Sequence, residues 1–514
     1  MKDVIISKLN ETFIKLKCSE AIERHLYEHF SFTTPKMKYH PKVKAKLWDG
    51  YLHLYRYNNE TMYLGLIEEL YKFFNHFDYS YEFTFKKEDN YSKELYEETL
   101  KLLSSNITLR EHQETAIDFA IKNNRGIIVS ATASGKSLVI YFLTMYYLLK
   151  GLKKILIIVP RVDLVNQLKN QFLEYHNGDK EEFAKEFELI YSGSEKNNNA
   201  SITISTYQSL LNKSVDFFEK FDILFMDEVH TGKSAETTKI IEKTINAKHK
   251  FGFTGTLTNN DEEQEMHELV LKGLFGRIFV ATTNKEMIDK GYAPKVIINA
   301  IKLNYSNKDV CNNIIKGTSE IQEIRDFNIK RKKLFENEVS YVLQDKLRNK
   351  FIANLAISRK GNVLVFFQFV EKHGKILYET IKRLSEGLNK KVYYIDGNIS
   401  IEERAKIKDI IETSEDVIVI LSFGTSSTGL DYKNVHHAIL ASGFKGSIII
   451  KQTIGRGLRL KEGKNEFNVY DIGDDFSQGK KSTNFLFKHF MERIKLYQDE
   501  KFILNVNEFN IKEN

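Results

Sequence analysis

The strongest constraint on the fold of this chain is a recurring series of short apolar runs, each of strand length and separated from the next by an amphipathic stretch. Between Leu109 and about Thr282 the runs are Gly126 to Val129, Ile155 to Val159, Ile202 to Ile204, Ile223 to Met226 and Phe251 to Thr254. A second series follows at Val363 to Phe367, Val392 to Ile395, Val417 to Leu421 and Ala438 to Leu440. Continuous apolar runs of this kind mark strands buried on both faces, and the stretches between them have helical length. The pattern predicts an α/β chain with two successive domains built on parallel sheets. A length of 514 residues agrees, being too long for one ordinary core and enough for roughly three domains.

The remaining segments fix the expected boundaries. Residues 1–100 contain the alternating stretch Tyr51 to Tyr55 and a helix-like stretch from Leu64 to Phe74. They read as a small α+β domain followed by a linker. Residues 101–282 form the first α/β domain. Residues 283–475 contain a linking region, helical over the charged stretch Glu320 to Lys360, and the second α/β domain. Residues 476–514 read as a helical tail with a polar end. No run approaches the roughly 20 apolar residues of a membrane span. The start of the chain, MKDVIISKLNETF, has no cleavage signature. The expectation is a cytoplasmic protein without membrane contact. Cys18 and Cys311 are far apart and no Cys/His spacing suits a metal, which excludes a zinc site.

Between the run ending at Val129 and the helix-like stretch Leu138 to Leu149 lies Ser130-Ala131-Thr132-Ala133-Ser134-Gly135-Lys136-Ser137. A strand-to-helix turn aims several backbone N–H groups at one point, and the helix dipole adds positive potential there. Small side chains from Thr132 to Gly135 let a triphosphate approach the backbone. Lys136 would meet the β and γ phosphates, and Ser137 would hold Mg²⁺. Ser130 stands where such loops usually begin with glycine, so the strict pattern fails at one position. An ordinary turn with an exposed lysine is the competing reading, and the strand-before, helix-after context weighs against it.

Asp227 and Glu228 follow the run Ile223 to Met226. Carboxylates at the C-terminal end of a buried strand lie where α/β proteins bind ligands. Asp227 would hold Mg²⁺, and Glu228 would orient and deprotonate an attacking water. A solvated acidic pair at a strand end is common. Its pairing with the loop upstream favours a nucleotide triphosphatase.

These motifs resemble those of superfamily 2 helicases of the DExH type, over roughly Leu109 to Asp471. The resemblance implies two tandem RecA-like domains, ATP and Mg²⁺ as cofactors, and ATP hydrolysis coupled to nucleic-acid unwinding. In LREHQ it assigns Arg110 and Gln113 to adenine reading. It gives a coupling role to His230, to Thr254, Gly255 and Thr256, and to Gln452. FGTSSTGLD, Phe423 to Asp431, is similar to motif five, which puts Asp431 at ATP. QTIGRGLR, Gln452 to Arg459, is similar to motif six, which makes Arg456 and Arg459 catalytic fingers, three apart and on one face if they open a helix. Nucleic-acid backbone contacts are implied at Arg161, Thr206, Gln368 and Thr428, and such contacts carry little sequence specificity.

A net charge of +7 is mild for this length, so local clustering has to carry any argument for nucleic acid. The clearest cluster is Lys36, Lys38, His40, Lys42, Lys44 and Lys46, followed by Trp48-Asp49-Gly50. Lysines at period two share one face of a strand and could track phosphates. The expectation is phosphate binding by Lys42, Lys44 and Lys46, with Trp48 in the core. The stretch HPKVKAKLWDGYLHLY, His40 to Tyr55, is similar to the N-terminal domain of the recombination helicases of T-even phages. With GKS, the TGTL-like motif, QTIGR and Tyr470-Asp471-Ile472, the similarity runs nearly the length of the chain. It implies a DNA helicase for branched DNA, driving branch migration and unwinding D-loops, R-loops and forks in recombination, repair and replication. Duplex or branched DNA, and RNA–DNA hybrids, are the implied substrates. Recombination or single-strand-binding proteins are the implied partners, in the host cytoplasm if the chain is phage-encoded. An RNA helicase and the motor subunit of a restriction or nuclease complex are the alternatives.

Overall fold

The computed structural model describes residues 2–511 except 35–36, 38–39, 87–90, 192–198, 231–234, 256–261, 427–431, 444–446, 458–460, 462–463 and 478–482. The chain forms two units, Met1–Thr283 and Asn284–Asn514.

The first unit opens with β1 (Val4–Lys8) and β2 (Phe13–Cys18), an antiparallel pair, then β3 (Ser31–Phe32), β4 (Leu52–His53), β5 (Tyr55–Arg56), β6 (Thr61–Tyr63) and β7 (Tyr81–Phe83). Strands β5-β6-β2-β1-β7 make a mixed sheet, and β3 pairs with β4 alone. Val4, Ile6, Ile14 and Leu16 point inward with period two. They meet Leu70, Phe73 and Phe74 of the helix Ile67–His76.

Where a strand was expected through Lys42 and Lys44, the chain forms a helical turn, Pro41–Lys44, while Lys36 and Lys38 lie outside the described residues. Pro41 cannot donate to a ladder but suits the first helical position, and His40 Nδ1 accepts from Lys42 N at 3.2 Å as the cap. Trp48 is half-buried rather than in the core, with its indole N–H donating to Tyr51 O at 2.8 Å.

The second sheet comprises β8 (Arg125–Ser130), β9 (Ile155–Val159), β10 (Phe187–Ile190), β11 (Ile202–Thr206), β12 (Ile223–Asp227), β13 (His249–Thr254) and β14 (Ile278–Thr282). Its order is β10-β11-β9-β12-β13-β8-β14, with every pair parallel. All five apolar runs of the first series fall in these strands. Residues of β9 from Ile155 to Val159 are buried without exception, the signature of a strand covered on both faces.

The N-terminal sheet shares one apolar core with this parallel sheet, continuous from Val4 to Phe275. The contact lies at the N-terminal ends of β8 and β13. Arg125 Nη2 donates to Glu11 O at 3.0 Å, and Lys250 Nζ to Thr12 Oγ1 at 2.6 Å. Tyr63 OH donates to Glu242 Oε1 at 2.5 Å beside the Arg56–Glu242 ion pair. Gly65 makes the fit possible, since a Cβ there would fall 2.2 Å from Lys272 O.

The second unit contains β15 (Lys295–Tyr305), β16 (Val363–Phe367), β17 (Lys391–Ile395), β18 (Val417–Ser422), β19 (His437–Leu440), β20 (Glu466–Asp475) and β21 (Ile503–Ile511). The order is β17-β18-β16-β19-β20-β15-β21, again parallel throughout. The charged stretch before β16 is helical, as expected, with Phe327–Gln344 and Lys346–Ser358 its longest parts. The polar end expected after the helix Phe485–Asp499 is instead β21, paired with β15 from Ile297↔Ile503 to Tyr305↔Ile511. An edge strand needs apolar contact on few of its residues, so Asn505, Asn507 and Glu508 sit in it exposed. Two buried ion pairs tie helices to β20. Arg348 Nε meets Asp474 Oδ1 at 2.7 Å, and Arg493 Nη2 meets Asp471 Oδ1 at 2.8 Å.

Candidate active site

Three neighbouring strands, β12, β13 and β8, end together. The register sets Asp227 level with Phe253, and Phe253 level with Ile128. Parallel strands about 4.8 Å apart therefore deliver Asp227, Thr254 and Ser130 to one edge of the sheet.

The loop after β8 turns through Ala133 (φ 64°) and Gly135 (φ 84°) before the helix Lys136–Leu149. Gly135 is required twice over. Its φ lies in the left-handed region, and a Cβ would come 2.4 Å from Gln113 Nε2. Ser130, which stands in place of the usual glycine, is accommodated by a 2.6 Å hydrogen bond from its hydroxyl to Ser134 Oγ. Lys136 Nζ donates to Ser130 O at 3.2 Å and to Ala131 O at 3.5 Å, so the ammonium lies over the loop. Ser137 Oγ is 2.9 Å from Tyr175 OH. Thr132 is half-buried, and its Oγ1 is 3.3 Å from where a Cβ on Gly255 would stand. Lys136 Nζ would be 3.5 Å from the same atom, so Gly255 leaves room beside the lysine.

Gln113 is buried and spans the loop and the preceding segment. Its Oε1 accepts from Arg110 N at 2.9 Å, and its Nε2 donates to Ser134 O at 2.8 Å. His112 was not singled out from the sequence, yet its Nε2 lies 2.9 Å from the same carbonyl. Two side chains thus hold Ser134 O, which fixes the peptide planes of the loop. Adjacency to Gln113 in LREHQ was the available signal for His112. Nothing in the spacing pointed to Tyr175.

Burial, then the neighbouring Glu228 carboxylate, push the Asp227 carboxyl up to about 6, with Lys136 acting against them. Such a carboxylate favours a cation partner. Glu228 takes a left-handed backbone (φ 50°), a strain of about 1–2 kcal/mol for a residue with a Cβ. Its N–H donates to Asp227 Oδ1 at 3.0 Å. His230 Nδ1 stands between Glu228 Oε2 at 3.3 Å and Thr254 Oγ1 at 2.8 Å. The acidic box and the strand-end threonine are therefore joined by one imidazole.

Of the nucleic-acid candidates, Lys42, Lys44 and Lys46 are exposed, and so is Gln368, whose backbone N–H donates to Ser442 Oγ at 3.2 Å. Thr206 is buried and caps the turn Tyr207–Leu210, accepting from Ser209 N at 3.3 Å. Arg161 precedes the helix Val162–Tyr175. Burial lowers its pKa, against the pull of Asp163 and Glu228. Arg456 is the penultimate residue of the helix Ser447–Gly457, not near a helix start as the sequence reading had it. Gly457 ends that helix where Phe467 packs against it, 2.2 Å from the position of a Cβ. Thr256, Thr428, Asp431 and Arg459 lie outside the described residues, as do the side chains of Gln452 and Arg456.

The residues fit a nucleoside triphosphate with Mg²⁺. The loop is cleared by Gly135 and Gly255, and Asp227 with Ser137 offers the one carboxylate and one hydroxyl that Mg²⁺ takes beside phosphate and water. Among the described residues no group of three or more His, Cys, Asp or Glu could hold a metal by itself, and no helix is long and apolar enough to cross a membrane.

Family models match along the chain: "DNA helicase UvsW, N-terminal" over residues 3–84, "Type III restriction enzyme, res subunit" over 106–259, and "Helicase conserved C-terminal domain" over 346–461. A solved fragment of a putative HsdR subunit of a type I restriction enzyme from Vibrio vulnificus aligns with 90% of this chain and 78% of its own at a TM-score of 0.55. At 18% identity that likeness speaks for the tandem RecA-like fold alone. The DNA 3'-5' translocase XPB2 of Sulfurisphaera tokodaii is 24% identical over 70% of this chain and 81% of its own. The ATP-dependent DNA helicase uvsW of Enterobacteria phage T4 is 30% identical over 512 residues, 95% of this chain and 96% of its own. With that identity along both chains and the matching N-terminal model, the chain belongs to the UvsW family of superfamily 2 and is an ATP-dependent DNA helicase.

Proposed function

We propose that this helicase works on branched DNA, driving branch migration and unwinding D-loops, R-loops and forks during phage recombination, repair and replication. The observation that carries the reading is the N-terminal region, whose sheet has a core continuous with the ATP-site sheet and whose turn at Pro41–Lys44 leaves Lys42, Lys44 and Lys46 exposed to solvent. A positively charged surface fixed to the hydrolysing domain can hold one duplex arm by its phosphates while the motor acts on another.

In this reading Lys136 binds the β and γ phosphates, and Arg110, Gln113 and Asp431 hold the nucleotide. Asp227 and Ser137 hold Mg²⁺, which when bound neutralises charge on the phosphates. Glu228 takes the proton of the water that attacks the γ phosphorus as the bond to ADP breaks. Arg456 and Arg459 stabilise the charge on the transferred phosphoryl group. His230, Thr254 to Thr256 and Gln452 pass the change at phosphate to the strand contacts at Arg161, Gln368, Thr428 and the loop capped by Thr206. Single-strand-binding and recombination proteins are the partners that fit such substrates.

ATP turnover and strand displacement compared on linear duplex, fork, four-way junction, D-loop and R-loop test the proposal. Branched substrates should be unwound faster than blunt duplex of equal length. Equal rates on linear and branched DNA would overturn the branched-DNA role while leaving the helicase assignment intact.

A further inference from the structure

The turn that presents the lysines has a second property. Lys46 N donates to Val43 O at 3.0 Å and Leu47 N to Lys42 O at 2.9 Å, with Lys46 at φ 54°. That is a Schellman cap in which a lysine, not glycine, occupies the left-handed position. In such caps the residue after the left-handed one usually packs its apolar side chain back on the helix. Here the residue it would meet is Lys42, and Leu47 stands 78% exposed, more than any other large hydrophobic residue among those described.

The turn is fastened to the body of the domain on its C-terminal side. Trp48 closes the turn on itself, its ring edge-on to the N-cap His40 with centroids 5.6 Å apart, and Thr33 Oγ1 donates to Gly50 O at 2.6 Å. His53 links Asp49 Oδ2 at 2.7 Å to Ser31 Oγ at 2.6 Å. The domain is in turn locked to the ATP-site sheet through Lys250–Thr12 and Arg125–Glu11. An exposed aliphatic side chain on the same short turn as three exposed lysines, fixed to the body of its domain, has the form of a wedge for nucleic acid. Cations hold the phosphates on either side, and an apolar side chain enters between bases and unstacks them.

We propose that Leu47 is a strand-separating wedge, inserted at the branch point of DNA held by Lys42, Lys44 and Lys46. The wedge rests on the reading of those lysines as DNA contacts. Because it is fixed to the hydrolysing domain, each ATP-driven step draws duplex against it. A partner protein would require the lysines to meet acidic side chains; base unstacking is what distinguishes DNA.

The test uses the full chain and a DNA fork with 2-aminopurine in the first pair of the junction. Saturating native protein should raise its fluorescence severalfold, reporting an unstacked base. Leu47→Ala at saturation should leave the fluorescence near that of free DNA and lower the pairs opened per ATP, whereas Leu47→Phe should restore both. Lys42→Ala/Lys44→Ala/Lys46→Ala should bind the fork more weakly, with a shallower dependence on salt, yet still raise the fluorescence once saturated. A native-level signal from Leu47→Ala would overturn the wedge and leave the lysine reading standing. Unchanged affinity and salt slope in the triple variant would overturn the lysine reading itself.

Discussion

His230 Nδ1 and Thr254 Oγ1 are 2.8 Å apart, which joins the residue three beyond the end of β12 to the last residue of β13. The same nitrogen is 3.3 Å from Glu228 Oε2, so a change at the Glu228 carboxylate reaches β13 through one side chain. One such hydrogen bond contributes about 1 kcal/mol, so its loss changes a single step by roughly tenfold or less. For His230→Ala we expect ATP turnover to fall within that bound and base pairs opened per ATP to fall further. Parallel measurement of phosphate release and strand displacement checks this. Equal losses in both would assign His230 to the chemistry rather than the coupling.

The acid limb of ATP turnover should report Asp227, which is held near 6 by burial and by Glu228. Cation binding requires the ionised carboxylate. At pH 5 about a tenth of a group with that pKa is ionised, so kcat/KM for MgATP should be about tenfold below its value at pH 7. The stability effect has the opposite sense. Because the folded pKa lies above the ordinary 3.8, the unfolded chain loses this proton first, and Asp227 costs stability progressively as pH rises from about 4 to 6. Asp227→Asn should therefore melt higher than the native protein at pH 7 while losing turnover. A lower melting temperature would contradict the assigned burial.

Lys136→Ala should abolish turnover by weakening phosphate binding, and Glu228→Gln should keep nucleotide binding but lower kcat by about 10²–10⁴-fold. Fluorescent-nucleotide titration beside steady-state turnover separates the two. His112→Ala should raise KM for ATP with a smaller change in kcat, since its ring holds Ser134 O of the loop. Loss of that hydrogen bond is worth up to about tenfold. His112→Gln, which can still donate, should recover much of it.

What could be read from the chain followed physical necessity. The runs of β9 and β12 were legible because strands covered on both faces must be apolar along their length. The positions of Asp227 and Thr254 were legible because each lies at the C-terminal end of such a strand, and that of Lys136 because the loop after β8 runs into the helix it opens. His112 and Tyr175 were not, because their value comes from where packing brings them. The strand expected through Lys42 and Lys44 was misread because period two was weighed above Pro41, which ends a ladder and opens a helix. β21 was missed because Asn505, Asn507 and Glu508 are tolerated at an edge where only β15 lies alongside.

Lys250 gives a last prediction, on the seam between the N-terminal sheet and the ATP-site sheet. It is buried, its Nζ donates to the buried Thr12 hydroxyl at 2.6 Å, and Arg125 lies near it. Burial first, then Arg125, hold its pKa well below the ordinary 10.5. Between those two values the unfolded chain carries a proton that the folded chain has given up. Stability from this group is therefore least below its folded pKa and rises with pH from there toward 10.5. Lys250→Ala alone should destabilise the unit, leaving a cavity and an unpaired Thr12 hydroxyl. Lys250→Met/Thr12→Val removes both polar partners and keeps most of the volume, so it should be at least as stable as the native chain at pH 7. Its advantage should shrink as pH is raised toward 10, because the native protein then sheds the cost that the variant never had. Melting curves of the two proteins between pH 7 and 10 check this. A difference constant across that range would show that Lys250 is not the group carrying the strain at the seam.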